Sequence, residues 1–139
     1  MRSEAKDAAK DEVKVSESIE PCKLWNPDVA LRRMGADTDL LCTMVDYFLE
    51  DSLLLLQDLR QRINAGDALE ASRVAHSLKG LCSNFEAEAA TRAGAAVEAA
   101  CMAATLEEAS SLIPALTEQL SLLSHALMEW KESHSLGAG

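Results

Sequence analysis

One imidazole in this chain keeps company that suits anion chemistry. In the stretch ALEASRVAHSLKGLCSNF, which starts at Ala68, helical spacing puts Val74, Leu78, Leu81 and Phe85 on one side, with Ala71 and Cys82 beside them. At about 100° per residue, His76 falls about 140–180° from those large residues, on the opposite face. Ser72, Arg73, Lys79, Gly80 and Ser83 surround it there, and Leu69, in the first turn, is the one large apolar residue on that side. His76 is therefore expected to be a wet imidazole on a rigid helix. A neutral imidazole is a nucleophile near pH 7, because its unperturbed pKa is about 6.5. An anion parked on it needs a cation and room. Lys79, one turn away, offers a point charge and donors suited to phosphate oxygens. Gly80 costs a helix interior up to about 1 kcal/mol against Ala, and close approach of another molecule to His76 is a physical reason to carry it.

The remaining candidates read as structure. His125 lies between Leu123 and Leu127 and His134 stands near the end of the chain, so both are expected in structural or surface roles. Glu98, Glu107 and Glu108 raise the question of a di-metal bundle. Such sites need Glu-x-x-His pairs on facing helices. Here the residues three before the histidines are Arg73, Leu122 and Lys131, so no metal is expected. Cys22, Cys42, Cys82 and Cys101 are far apart with no CxxC pair, which favours free thiols in a reducing cytoplasm over zinc or disulfides. The methionines read as core filler.

Helices must position these groups. Asn26 can N-cap a short first helix, Pro27 suits its first position and Gly35 can end it. A long second helix follows Asp37 and stops near Ala65 and Gly66, with Leu41, Val45, Phe48, Leu55, Leu59 and Ile63 at helical spacing. Asp67 with Glu70 has capping-box spacing and opens the helix of His76. A fourth, Ala-rich helix covers about Glu88 to Ala103, where small side chains let backbones come close. Thr105 with Glu108 repeats the box before a fifth helix, whose seam is Ile113, Leu116, Leu120, Leu123, Leu127 and Trp130. Pro114 should kink that helix or mark where its regular part starts.

The whole composition agrees. The 139 residues are 48% hydrophobic but only 4% aromatic, so Leu, Ala, Val and Met must fill a core. With 3 Pro and 6 Gly, little of the chain is turn, which weighs against a β sandwich or barrel. A net charge of −10 repels phosphate backbones and anionic lipid, so neither nucleic acid nor membrane is an expected partner. No apolar run is long enough to span a bilayer, and the first residues carry no secretory signal, so a cytoplasmic protein is expected. Residues 1–22 mix charges without a stripe and read as a disordered tail. The bundle domain is expected over 23–134, with 135–139 a flexible C-terminus.

The segment from Ala75 to Ala87, AHSLKGLCSNFEA, resembles the signature of histidine-containing phosphotransfer (HPt) domains of bacterial phosphorelays, roughly His-x-Leu-Lys-Gly and later Gly-Ala. WNPDVALRRMGADTDLL, FLEDSLLLLQDLRQRINAGD and AGAAVEAAC resemble the family's first, second and fourth helices, so the likeness covers about residues 24 to 130. It implies an all-α fold, an antiparallel four-helix bundle with a short additional N-terminal helix. It implies that His76 is the phosphoacceptor, that Lys79 and Gly80 stabilise the phosphoryl group and give access to it, and that Ser72, Arg73 and Ser83 can form a docking rim. The implied partners are receiver domains of response regulators or hybrid sensor kinases, which bring the Mg²⁺. The chain itself would be a monomeric phosphocarrier with no cofactor and no catalytic activity of its own. An HPt-like module that binds a receiver or kinase without carrying phosphate is the alternative. Beginning at Met1 without a transmitter or receiver segment, the chain reads as freestanding, with a fragment of a hybrid kinase as the other possibility. Glu86 stands where the family usually has Gly, and Asn84 is expected to take over part of the left-handed exit that glycine eases.

Overall fold

The computed structural model describes residues 24–138, with side chains described as far as His134. The tail at 1–22, with Cys22, lies outside the described residues. Five helices follow one another: α1 (Pro27–Arg33), α2 (Thr38–Asn64), α3 (Ala68–Ser83), α4 (Glu88–Met102) and α5 (Leu106–Ala138). No strand occurs among the described residues. Short turns reverse the chain after each helix. The packed pairs are α2 with α3, α3 with α4, α4 with α5, and α5 back on α2, an antiparallel four-helix ring with α1 lying over one end.

Local chemistry sets most boundaries. Asn26 accepts from Val29 N–H at 3.1 Å, Asp37 from Leu40 N–H at 3.1 Å and Asp67 from Glu70 N–H at 3.2 Å. The two expected capping boxes form only in part. The Glu70 carboxylate turns to Arg73, 2.7 Å away, and Thr105 donates its hydroxyl to Ala100 O at 3.0 Å. Helix α5 runs unbroken from Leu106 through Pro114, so the regular helix does not begin at the proline. It also continues to Ala138, past the boundary expected at 134, because nothing in that stretch breaks a helix as Pro would.

The third helix ends differently from expectation. Asn84 stays right-handed at φ −60°, and Glu86 itself takes the left-handed position at φ 56°. A non-glycine residue there is strained by roughly 1–2 kcal/mol, and α1 supplies contacts that hold it. Arg33 pairs with the Glu86 carboxylate and donates to Ser83 O at 3.4 Å, while Asn26 N–H donates to Phe85 O at 3.0 Å. Ala104 is also left-handed, at φ 61°, but exposed. Ala104→Gly should therefore raise stability by about 1 kcal/mol. Calorimetry should show a melting temperature about 3 °C higher, and an unchanged or lower one would contradict the reading.

Leu41, Val45, Phe48, Leu56 and Leu59 of α2 face Val74, Leu78 and Cys82 of α3, Val97 of α4 and Leu116, Leu123 and Leu127 of α5 in one continuous core. Each fully buried large side chain contributes about 1.5–3 kcal/mol. Leu, Ala and Val fill most of the core as expected, while the methionines contribute less: Met34 and Met44 pack against it partly buried, and Met102 is 72% exposed. The few aromatics matter more than their number implies. Trp25 meets Phe85 and Trp130 edge-on at 5.9 and 5.7 Å, and Phe48 meets Phe85 at 5.6 Å, closing the bundle at the end under α1.

Candidate functional site

The site is built on the α3–α4 pair. These helices approach closely because Gly94 has no side chain. A Cβ there would stand 3.3 Å from Lys79 Cα and 3.4 Å from Lys79 N and Cβ. Backbone that near cannot step aside cheaply. One turn further along α4, on the stripe shared with Gly94 and Cys101, Glu98 points back at α3. Its side chain is only 16% exposed, and the carboxylate bridges two groups: Oε2 lies 3.0 Å from His76 Nδ1 and Oε1 lies 2.8 Å from Lys79 Nζ.

That bridge fixes the chemistry of the imidazole. The hydrogen bond from Lys79 holds the Glu98 carboxyl below the usual carboxylate range, with help from His76 and against the opposing effect of burial. Glu98 is thus ionised at neutral pH, and an ionised carboxylate only accepts. The hydrogen in the contact therefore belongs to Nδ1. Nε2 of the neutral ring keeps its lone pair, has no protein partner among the described residues, and sits on a side chain 66% exposed. The arrangement is a fixed, oriented nucleophile at a solvent-facing surface, with a carboxylate behind it to accept positive charge on the ring.

Around Nε2 the surface is open. A Cβ on Gly80 would meet nothing within 4 Å, so packing inside this molecule gives no reason for glycine, and the space is free for something from outside. Leu69 and Met102 are 64% and 72% exposed; with Ala68, Arg73 and Cys101 they line a shallow apolar groove that reaches His76. Such exposed apolar surface beside a nucleophile is the kind a protein partner covers.

The structure brings His76, Lys79 and Gly80 together as the sequence indicates, but revises the rim. Ser72 is buried, its hydroxyl donating to Leu69 O at 2.7 Å, because α4 covers that shoulder of α3. Lys79 is covered on the same side and is only 31% exposed. Arg73 is exposed but tied to Glu70, and the exposed Ser83 donates to Gly80 O at 2.9 Å. Sequence reasoning missed Glu98, weighing it only as a metal ligand. The available signal was an acid at i+4 from Gly94 and i−3 from Cys101, on the face that must pack.

The other candidates lie elsewhere. His125 is exposed on α5, and His134 stacks on Trp130 at 4.3 Å with Nδ1 at 2.8 Å from Trp130 O. Cys42, Cys82 and Cys101 are free thiols. Burial raises all three, Cys82 to about 12, so they stay protonated. Among the described residues no three His, Cys, Asp or Glu side chains gather as metal ligands, and no helix is long and apolar enough to cross a membrane.

Compared with known proteins, residues 43–126, more than half of the chain, match the family model of the Hpt domain. No curated protein and no solved structure gives a match.

Proposed function

The chain belongs to the Hpt domain family, whose members are phosphotransfer modules of two-component signalling, and from that premise we propose that His76 accepts and donates a phosphoryl group in exchange with aspartates of receiver domains. The observation that supports this reading most directly is the Glu98–Nδ1 contact, which leaves the exposed Nε2 as the nucleophile. In the forward step the Nε2 lone pair attacks the phosphorus of an aspartyl phosphate. The N–P bond forms as the P–O bond breaks, and that electron pair leaves on the receiver's carboxylate. The ring gains positive charge, shared with Nδ1–H, which Glu98 faces. No proton has to be removed during bond formation. The reverse step returns the phosphoryl group by the same path.

The receiver supplies the Mg²⁺ and the rest of the catalytic constellation. This chain contributes the nucleophile, its orientation and a place to dock, without catalytic activity of its own. Positioning and charge neutralisation dominate such transfers. The apolar lip of Leu69 and Met102 is the surface on which the receiver seats.

The test is transfer itself. Incubating the full chain with phosphorylated receivers from the same genome should place acid-labile, alkali-stable phosphate on it. Receivers that bind without leaving label would support the binding-only alternative. Gly80→Gln should fold as wild type does, since its side chain enters open space. It should slow transfer by at least about tenfold by obstructing the approach. Wild-type transfer rates in that variant would refute the access argument.

A further inference from the structure

Lys79 is not waiting for a phosphoryl group with a free hand. Its ammonium lies 2.8 Å from Glu98 Oε1, while the other oxygen of the same carboxylate holds His76 Nδ1, across the ring from Nε2. A neutral amide at position 98 could also accept the Nδ1 hydrogen. What the carboxylate adds is a negative charge, mostly shielded from water and directed at the one lysine beside the histidine.

We propose that Glu98 is a positioning residue that shortens the time His76 keeps a phosphoryl group, by holding the Lys79 ammonium away from it. The proposal rests on His76 being the phosphoacceptor. Once the group is on Nε2, two anions compete for one cation. Loss of the phosphoryl group passes through a loose, metaphosphate-like transition state. The three phosphoryl oxygens carry less charge there than in the bound dianion. A cation resting on them therefore stabilises the bound state more than the transition state and retards departure. When water is the acceptor, its oxygen bonds to phosphorus and the N–P electron pair returns to Nε2. The products are the neutral Nδ1–H imidazole and dihydrogen phosphate. With Lys79 engaged by Glu98 the brake on loss to water is partly off. The site is thus biased toward brief retention of the group, rather than storage.

The test needs no partner. The full-length chain is phosphorylated with phosphoramidate, and the decay of phosphohistidine is followed by phosphorus NMR in wild type, Glu98→Gln, Lys79→Ala and the double variant. Glu98→Gln should lengthen the half-life about three- to tenfold while Lys79 is present, the range set by a partly exposed ion pair. With alanine at position 79 the same change should give no lengthening, because no lysine is released and the carboxylate that faces the charged ring is lost. An unchanged half-life in Glu98→Gln would overturn the proposal. So would an equal gain with and without Lys79, which would mean the carboxylate acts through its field alone. A wild-type chain that takes no phosphoryl group on His76 would overturn the phosphocarrier reading first, and this inference with it.

Discussion

A His76→Gln chain, offered a phosphorylated receiver that labels the wild type, should remain unlabelled. The loss should be complete rather than graded, because the substitution removes the nucleophile itself. The fold should survive. His76 is largely exposed, its side-chain hydrogen bond is to Glu98, and a glutamine amide can still donate to that carboxylate. Surface changes of this kind move stability by about 0.5 kcal/mol. Neither other described histidine can stand in. Three residues beyond His125 and His134 come Met128 and Gly137, where His76 has Lys79, and neither ring has a carboxylate behind it among the described residues. Label on the His76→Gln variant would show a second acceptor and defeat the assignment.

Gly94→Leu should produce the largest loss of stability among changes near the site. A side chain there points at the Lys79 backbone, where a single Cβ already stands at 3.3 Å. Overpacking of this order costs about 3 kcal/mol, which for a chain of this length lowers the melting temperature by roughly 10 °C. The effect on transfer should exceed what unfolding explains. Pushing α4 from α3 also separates Glu98 from His76 and Lys79, so phosphoryl acceptance should fall even at temperatures where the variant is folded. Melting and transfer measured side by side separate the two effects. A Gly94→Leu variant with wild-type stability would mean that α4 shifts freely against α3.

Much of the bundle was legible because helix ends are local events. Asp37, Asp67 and Gly66 announce the turns they make, and the apolar stripes of α2 and α5 follow helical spacing over many turns. His76 was legible as an outward residue for the same reason. Whatever depends on which neighbour lies across a helix was not. A wheel drawn for α3 places Ser72 and Lys79 outside, yet α4 leans over that flank because Gly94 lets it. Glu98 was hidden similarly, a lone acid among alanines whose partners sit on another helix. The exit from α3 shows the limit of propensity. Asn84 has the better intrinsic left-handed tendency, but Glu86 takes that conformation because Arg33 and the backbone of Asn26 hold the turn from outside.

The order of the helices around the ring also bears on how the molecule reaches its native state. Each of α2, α3 and α4 packs on its successor in sequence, and among the described residues the main joins between distant segments are the α2–α5 seam and the α1 cover. Contacts so local belong to chains of low contact order, which fold in microseconds to milliseconds. His76, Lys79, Gly80, Gly94 and Glu98 all lie on the single α3–α4 hairpin, joined by a turn between Ser83 and Glu88. The acceptor geometry thus rests on one short-range pairing of neighbouring helices rather than on the long-range seam that closes the ring.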